Sequence, residues 1–285
     1  MNATVGWLLS VCVCVVLAAS CATNQNPSPA TEPLDSAEQS LLHQAEEILM
    51  RACMADNGFS YAVVPEQPMP FYKRFPYVVD DETWARDHGF GNALRRELKE
   101  QDDPNQRYYD ALPESELAKA LVAANGPSPD GLTAISPTGV QITRSDRSCT
   151  SQAERKLYGD LQTWFQAMTV TDALPIARRE QVVADTRYRV AVAGWARCMA
   201  ERGYDYADPG RLHDAFRAEG PEEIAAATTE VICGRITGFA AVARELDAQY
   251  EDRQREQYRT EIADRLRLER AALPTALVAV EHGAR

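Results

Sequence analysis

Histidines, cysteines and clustered carboxylates are the side chains of this chain that have the chemistry for catalysis or metal binding. The four histidines are scattered and share no metal-ligand spacing: His43, His88, His213 and His282. A zinc site could be drawn from His213 with Cys198 and Cys233, but it lacks a fourth ligand, and structural zinc sites have four. The sequence therefore predicts no metal site and no cofactor.

Established catalytic motifs are also missing from the sequence. It contains no His-Glu-x-x-His, no Gly-x-Ser-x-Gly and no glycine loop of the kind that cradles phosphate. Acidic residues cluster at Asp80, Asp81 and Glu82 and at Glu222 and Glu223, but carboxylates in an acidic chain are usually solvated or cap helices. We therefore predict no catalytic residue and a protein that is not an enzyme. The alternative is a cell-envelope hydrolase that uses acidic residues.

The cysteines fall into two groups. Three lie near the N-terminus and four in the body of the chain: Cys12, Cys14 and Cys21, then Cys53, Cys149, Cys198 and Cys233. Four cysteines in an exported chain favour two disulfides, for which three connectivities are possible. Cys53 and Cys198 are poor nucleophile candidates because the pattern places both at helix C-termini, where the helix dipole opposes thiolate formation.

An internal repeat narrows the choice of disulfide pairing. The stretch Cys53–Tyr61 recurs as Cys198–Tyr206, with Cys, Met, Ala, an acid, Gly, an aromatic residue and Tyr in register. Each copy is predicted to end a helix at its glycine, Gly58 or Gly203, and to leave in an extended segment. One further cysteine follows each copy and is predicted to open an amphipathic helix. The economical pairing is one disulfide per repeat, Cys53–Cys149 and Cys198–Cys233.

The elements that must position these residues are mostly helical. Leu41 to Cys53 follow the spacing of an amphipathic helix, and Asp35 with Glu38 forms a capping box at its start. Further patterns predict short helices at 81–87 and 113–124, a long loop at 126–147 and one long helical stretch at 221–273.

We therefore predict a mainly α fold of two disulfide-stapled helical units, related by a weak internal repeat, with long irregular loops and a long C-terminal helix. The predicted divisions are a signal peptide at 1–20, a flexible tether at 21–37, a first helical unit at 38–172 and a second at 173–285.

A proline-rich loop at 64–79 carries the aromatic residues that are the candidate binding loop: Phe71, Tyr72, Phe75 and Tyr77. Long irregular loops are often functional, so these rings could stack on a ligand or glycan. The alternative is a lid whose rings pack on the helical core.

The N-terminus resembles a bacterial lipoprotein signal. An apolar run from Val5 ends in Leu17-Ala18-Ala19-Ser20-Cys21, and a Pro/Ser/Asn-rich stretch follows. Ala18 stands where leucine is commoner, and no Lys or Arg precedes the run. We predict cleavage before Cys21 and a lipid on its sulfur, which would anchor the protein on the extracytoplasmic face of the cell membrane. The alternative is an uncleaved anchor at 5–22, although the run is short for one.

The overall charge limits the partners. A formal net charge of −12 argues against nucleic acid and against direct docking on anionic lipid. The expected partners are the membrane, through the lipid anchor, and an envelope protein or glycan. A solute-binding transport lipoprotein would require alternating strands and helices, which the sequence does not predict.

Several short motifs resemble one family. They are the stretch Trp195–Asp208 with its Cys-Met-x-x-x-Gly-aromatic element, Gly89-Phe90-Gly91, Asp103-Pro104-Asn105 and Tyr158-Gly159-Asp160. On these motifs the chain resembles uncharacterised secreted lipoproteins of actinobacteria, over most of residues 40–250. The resemblance implies a fold and an extracytoplasmic location, and it brings no activity, substrate or catalytic residue. A non-enzymatic binding or scaffold module of the cell envelope is the leading hypothesis.

Overall fold

A computed structural model describes residues 33–65, 75–100 and 103–283. Within them the chain forms twelve helices and one antiparallel pair of strands. The first half contains α1 (Ser36–Asp56), α2 (Glu82–His88), α3 (Asn92–Glu100), α4 (Pro104–Asp110), α5 (Glu114–Asn125), β1 (Gly131–Ile135), β2 (Gln141–Ser145) and α6 (Cys149–Tyr158). The second contains α7 (Leu161–Ala184), α8 (Thr186–Ala200), α9 (Pro209–Ala215), α10 (Pro221–Ile236), α11 (Phe239–Gln257) and α12 (Arg259–Gly283). The predicted mainly helical fold is confirmed.

The first helix begins with the predicted capping box. Glu38 N donates to Asp35 Oδ1 at 2.8 Å, and Asp35 N donates to Glu38 Oε2 at 2.9 Å. The two side chains thus satisfy backbone donors that the first turn of a helix leaves unpaired. The apolar face of α1 buries Leu42 and Ala45.

Both copies of the repeat end their helices with the same geometry. Gly58 and Gly203 take φ angles of +86° and +90°, in the left-handed region that glycine enters without strain. The next residue then donates its N–H back to the methionine carbonyl, at 2.9 Å from Phe59 to Met54 and at 3.0 Å from Tyr204 to Met199. Both methionines are fully buried. The repeat is therefore a conformational one as well as a pattern of residue types.

Both predicted disulfides are confirmed. Cys53 bonds Cys149 with their Cα atoms 5.5 Å apart, and Cys198 bonds Cys233 with Cα atoms 5.7 Å apart. Cys149 opens α6 as predicted, but Cys233 lies near the end of α10. The expectation that Cys233 opens a helix is wrong because α10 already begins at Pro221, whose fixed φ suits the first helical position.

The long helical stretch predicted at 221–273 is instead three helices. Gly238 takes a left-handed φ of +74° between α10 and α11, and a second break at Tyr258 separates α11 from α12. The long C-terminal helix is α12, which runs on to Gly283. The first break lets α11 fold back against α10 and α8, so that the apolar faces of all three helices meet.

The predicted loop at 126–147 contains a β-hairpin. β1 pairs with β2 in antiparallel register from Gly131 opposite Ser145 to Ile135 opposite Gln141. Leu132 and Ala134 alternate inward and are buried, and β1 packs against α7. The prediction of a loop was wrong here. The alternation of buried and exposed residues in β1 covers only five residues and lies between Gly- and Pro-rich stretches, so it gives a weak strand signal.

Two main cores lie inside the described residues. One is centred on Trp195 and Phe239, from α8 and α11, and it takes in residues 77–90 from the first half of the chain. The other is centred on Trp164 of α7, and it takes in α1, α6 and α12. The predicted boundary between the two helical units, at residue 172, falls inside α7. The Trp195 core includes residues 77–90 from before this boundary, and the Trp164 core includes α12 from after it.

Candidate ligand-binding cavities

The described part of the aromatic loop lies against the Trp195 core. Phe71 and Tyr72 fall outside the described residues. Tyr77 is buried, its ring meets Tyr188 edge-on at a centroid distance of 5.9 Å, and its hydroxyl donates to Asp247 at 2.6 Å. Phe75 is half-buried with its ring centroid 5.7 Å from that of Trp84. Tyr77 thus holds this segment against the core.

The same segment forms one wall of a cavity of about 380 Å³, which we call the arginine–aromatic cavity. α7 and α9 also line it, together with Phe90 and Arg95. Its lining residues include Phe75, Phe90, Arg95, Arg179 and His213. The cavity therefore brings the aromatic segment together with three basic side chains.

The basic side chains of this cavity have no acidic partner on its walls. Arg179 donates from Nε to the carbonyl of Pro76 at 2.8 Å, and Arg95 donates from Nη1 to the carbonyl of Phe90 at 2.9 Å. Neither arginine makes an ion pair with any carboxylate among the described residues. No Asp or Glu lines the cavity. In a chain with an acidic excess, this is a local region of positive charge.

His213 is held by a buried acid. Its Nε2 lies 3.0 and 3.1 Å from the two carboxyl oxygens of Glu230, which is fully buried and also accepts the backbone N–H of Val79 at 3.3 Å. Burial raises the pKa of Glu230, and the bond from His213 opposes that effect. Because Nε2 is engaged, Nδ1 is the ring nitrogen left free of protein partners in the described chain.

Sequence reasoning considered His213 only for zinc and missed Glu230. The signal was present: Glu230 lies at helical spacing from Ala226, Ala227 and Cys233, on the buried face of α10 that it shares with Glu223. A charged residue on such a face is rarely fully buried unless it is paired. Arg179 had no comparable signal, since it is one of many arginines in a helix.

A second and larger cavity of about 630 Å³ lies among α1, α6, α7 and α12, and we call it the carboxylate cleft. Four acids line it: Glu46, Glu154, Asp172 and Glu269. Tyr158 lines it too, donates its hydroxyl to Glu46 and stacks its ring on Trp164 with centroids 3.6 Å apart. The Nε1 of Trp164 is buried and has no hydrogen-bond partner in the described structure.

The acids of the cleft differ in their surroundings. Arg144 donates to Glu154 at 3.0 Å, and Arg265 pairs with Glu269 at 2.8 Å and with Asp172. Glu46 makes no such ion pair with the described arginines and lysines. Burial, and to a smaller degree the charge of Glu154, raises the pKa of Glu46, whereas the bond from Tyr158 lowers it. Glu46 therefore holds a proton more readily than an exposed glutamate does.

The acidic residues considered from the sequence have structural contacts. Asp81 caps α2 by accepting the N–H of Trp84 at 3.0 Å, as expected of a helix cap. Glu223 is buried and accepts the backbone N–H groups of Phe90 at 2.8 Å and Asn92 at 3.2 Å. A Cβ at Gly89 would lie 2.8 Å from the Glu223 carboxyl carbon, which explains the glycine there.

Of the other histidines, His43 borders the carboxylate cleft and His88 lines neither of the two cavities. His43 lines the carboxylate cleft with Nε2 3.0 Å from the carbonyl of Val64, and His88 packs its ring on Trp84. Within the described ranges, no group of three or more potential ligands is placed to hold a metal ion. Nor does any helix there have the length and apolar character needed to cross a membrane.

Comparison with known protein families, with characterised proteins and with solved structures gave no match to this chain.

Proposed function

We propose that the protein is a lipoprotein held on the extracytoplasmic face of the cell membrane by a lipid on Cys21, where it acts as a non-enzymatic binding module. The location is supported by the two disulfides, because disulfides persist in oxidising compartments. It is supported independently by the small residues that precede Cys21. The proposed partner is a component of the envelope, a protein or a glycan.

The observation that carries the binding role is the arginine–aromatic cavity. Concave sites with apolar walls and a few convergent polar groups are the usual form of a ligand site. Here Arg179 presents guanidinium donors that protein acceptors leave free, beside the rings of Phe75 and Phe90. Such donors gain most from an added acceptor, since the protein does not already satisfy them.

Lipid attachment is tested by metabolic labelling with a fatty-acid precursor in cells that produce the full chain. We expect the native protein to incorporate label and the Cys21→Ala variant to lose it. Cys14→Ala is the matched control, because it removes a thiol from the same N-terminal region without touching the predicted attachment site. Equal labelling of the native chain and the Cys21→Ala variant would contradict the proposal.

Envelope binding is tested by placing a photo-cross-linking amino acid at Ile176, which lines the cavity and is 65 % exposed. Val190 on α8 is 69 % exposed and does not line it, so it is the control position. We expect adducts with envelope components from position 176 and not from position 190. The same adducts from both positions, or none from 176, would count against a specific site.

An envelope hydrolase is the second candidate, and the carboxylate cleft is the observation that favours it. Acid–base catalysis uses two titratable groups whose surroundings separate their protonation states. Glu46 is biased towards its protonated form, whereas Glu154 is ion-paired with Arg144. Glu46 would then act as the acid and Glu154 as the base in hydrolysis of an envelope glycan.

This alternative is tested with cell-wall glycan fragments as substrate. The hydrolase function requires hydrolysis by the native chain and its loss in Glu46→Gln. Glu180→Gln is the control, because Glu180 is exposed on α7 and lies outside the cleft. Equal activity in both variants, or no activity in the native chain, would reject the hydrolase.

A further inference from the structure

We infer that the arginine–aromatic cavity binds a small organic anion, in which a carboxylate or phosphate group is attached to an apolar ring. The inference goes beyond the proposed envelope partner by naming a small ligand, and it rests on the proposed function for its biological setting. Its test is made on the purified protein and does not depend on lipid attachment.

The charge of the cavity selects an anion. Arg95, Arg179 and His213 all line it, and no acid does. Glu230 contacts Nε2 of His213 at 3.0 Å, but it is fully buried and does not line the cavity. A ligand in the cavity therefore meets the two guanidinium groups, while full burial keeps the Glu230 carboxyl group out of its reach.

The donors are held in place before a ligand arrives. The carbonyl of Pro76 fixes Arg179 through Nε, which leaves both terminal NH₂ groups of that guanidinium without protein partners in the described chain. Paired NH₂ donors match the two oxygens of a carboxylate or phosphate. Arg95 is fixed through Phe90. Since these side chains are already ordered, binding costs less conformational entropy.

The walls select the body of the ligand. Phe75, Phe90, Pro175, Pro209 and Ile176 supply stiff apolar surface around the basic groups. A volume of about 380 Å³ lies near the lower end of the range for small-molecule sites, roughly 300 to 1,000 Å³. This size fits a ligand of one or two rings.

The test is calorimetric titration of the full-length protein, purified in detergent, with four probes. Phenyl phosphate and benzoate carry both the anion and the ring, whereas benzyl alcohol carries the ring alone and inorganic phosphate carries the anion alone. We expect both ring-bearing anions to bind, and the two partial probes to bind at least about tenfold more weakly, as expected for loss of a charge-assisted hydrogen bond or of ring burial.

Arg179→Gln is the decisive variant, because it removes the charge at an exposed site and leaves the core untouched. Arg189→Gln is its match: Arg189 is also exposed and also donates to a backbone carbonyl, that of Ala184 at 2.8 Å, but it lies outside the cavity. We expect phenyl phosphate to bind about tenfold or more weakly to Arg179→Gln, and with unchanged affinity to Arg189→Gln.

Three results would overturn the inference: no binding of either ring-bearing anion, equal affinity for benzyl alcohol, or equal losses in the two arginine variants. Circular dichroism of both variants establishes that they are folded. If the native protein incorporates lipid label but does not bind the ring-bearing anions, this inference alone is rejected. If the native protein binds the anions but incorporates no label, the proposed location alone is rejected.

Discussion

Glu230 of α10 is fully buried, and both of its carboxyl oxygens lie within 3.1 Å of Nε2 of His213 in α9. The pair joins the Trp195 core to the arginine–aromatic cavity, since one member is inside the core and the other lines the cavity. A third bond, from Val79 N at 3.3 Å, connects Glu230 to the segment that carries Tyr77. Glu230 thus orients His213 and also holds the segment that carries Tyr77, which forms one wall of the cavity.

Glu230 should make stability depend on pH. Burial raises its pKa above the ordinary value of 4.5, so the folded protein binds this proton more tightly than the unfolded chain. Its contribution is therefore complete below pH 4.5 and is lost as the pH rises through the raised pKa. We expect the free energy of unfolding of the native protein, minus that of Glu230→Gln, to fall as the pH rises, by about 1.4 kcal/mol for each tenfold difference in proton affinity.

Denaturant titrations across the acid range measure this difference. Glu180→Gln removes one carboxylate from the exposed face of α7 and so reports the effect of the charge change alone. A difference that stays flat, or one that rises with pH, would show that the buried carboxyl of Glu230 is not the source.

Removal of each disulfide should destabilise the protein by an amount that follows its loop length. The Cys53–Cys149 bond closes a separation of 96 residues, and the Cys198–Cys233 bond closes one of 35. In the chain-entropy account these contribute roughly 5 and 4 kcal/mol. We expect the paired alanine variant of the first bond to lose about 1 kcal/mol more in free energy of unfolding than that of the second. Equal or reversed losses in urea titrations would mean that loop entropy does not set the order.

The two glycines of the repeat should respond alike to substitution. Gly58→Ala and Gly203→Ala each force a Cβ into the left-handed region, although no atom lies within 4 Å of the added carbon at either site. The cost is therefore backbone strain alone, about 1 to 2 kcal/mol in each copy.

Gly194→Ala in α8 is the matched control for these glycines. Its backbone is helical, and the nearest atom to an added Cβ is 3.9 Å away, so the change should stabilise the protein by about 0.5 to 1 kcal/mol. Thermal unfolding of the three variants measures these effects. A loss confined to one copy of the repeat would show that the two helix ends are not equivalent in energy.

Features set by neighbours in sequence could be predicted, and features set by distant neighbours could not. The capping box at Asp35 and the glycine stop at Gly58 depend on residues a few positions apart, and both are confirmed. The break at Gly238 lies inside the single helical stretch predicted at 221–273, because a left-handed turn there becomes favourable only once α11 has a surface to pack on.

The contacts that form the two cavities depend even more on residues that are far apart in the sequence. Pro76 and Arg179 are separated by 103 positions, and their contact arises only when α7 packs beside the aromatic segment. Tyr158 and Glu46 are separated by 112 positions. Residue type alone identified Phe75 and Tyr77 as a candidate site, but nothing local indicated which basic side chains they would meet.

Tyr158 should control the proton affinity of Glu46. Burial is the larger influence and raises the pKa of Glu46, whereas the hydrogen bond from the Tyr158 hydroxyl stabilises the carboxylate and lowers it. Tyr158→Phe removes only the bond, so we expect the titration midpoint of Glu46, followed by carbon-13 NMR of its carboxyl group, to move further up from its native position. Tyr61→Phe is the control, because the Tyr61 hydroxyl bonds the neighbouring Glu47 at 2.9 Å and not Glu46. A midpoint that stays in place or moves down in Tyr158→Phe would show that the hydroxyl does not stabilise the Glu46 carboxylate.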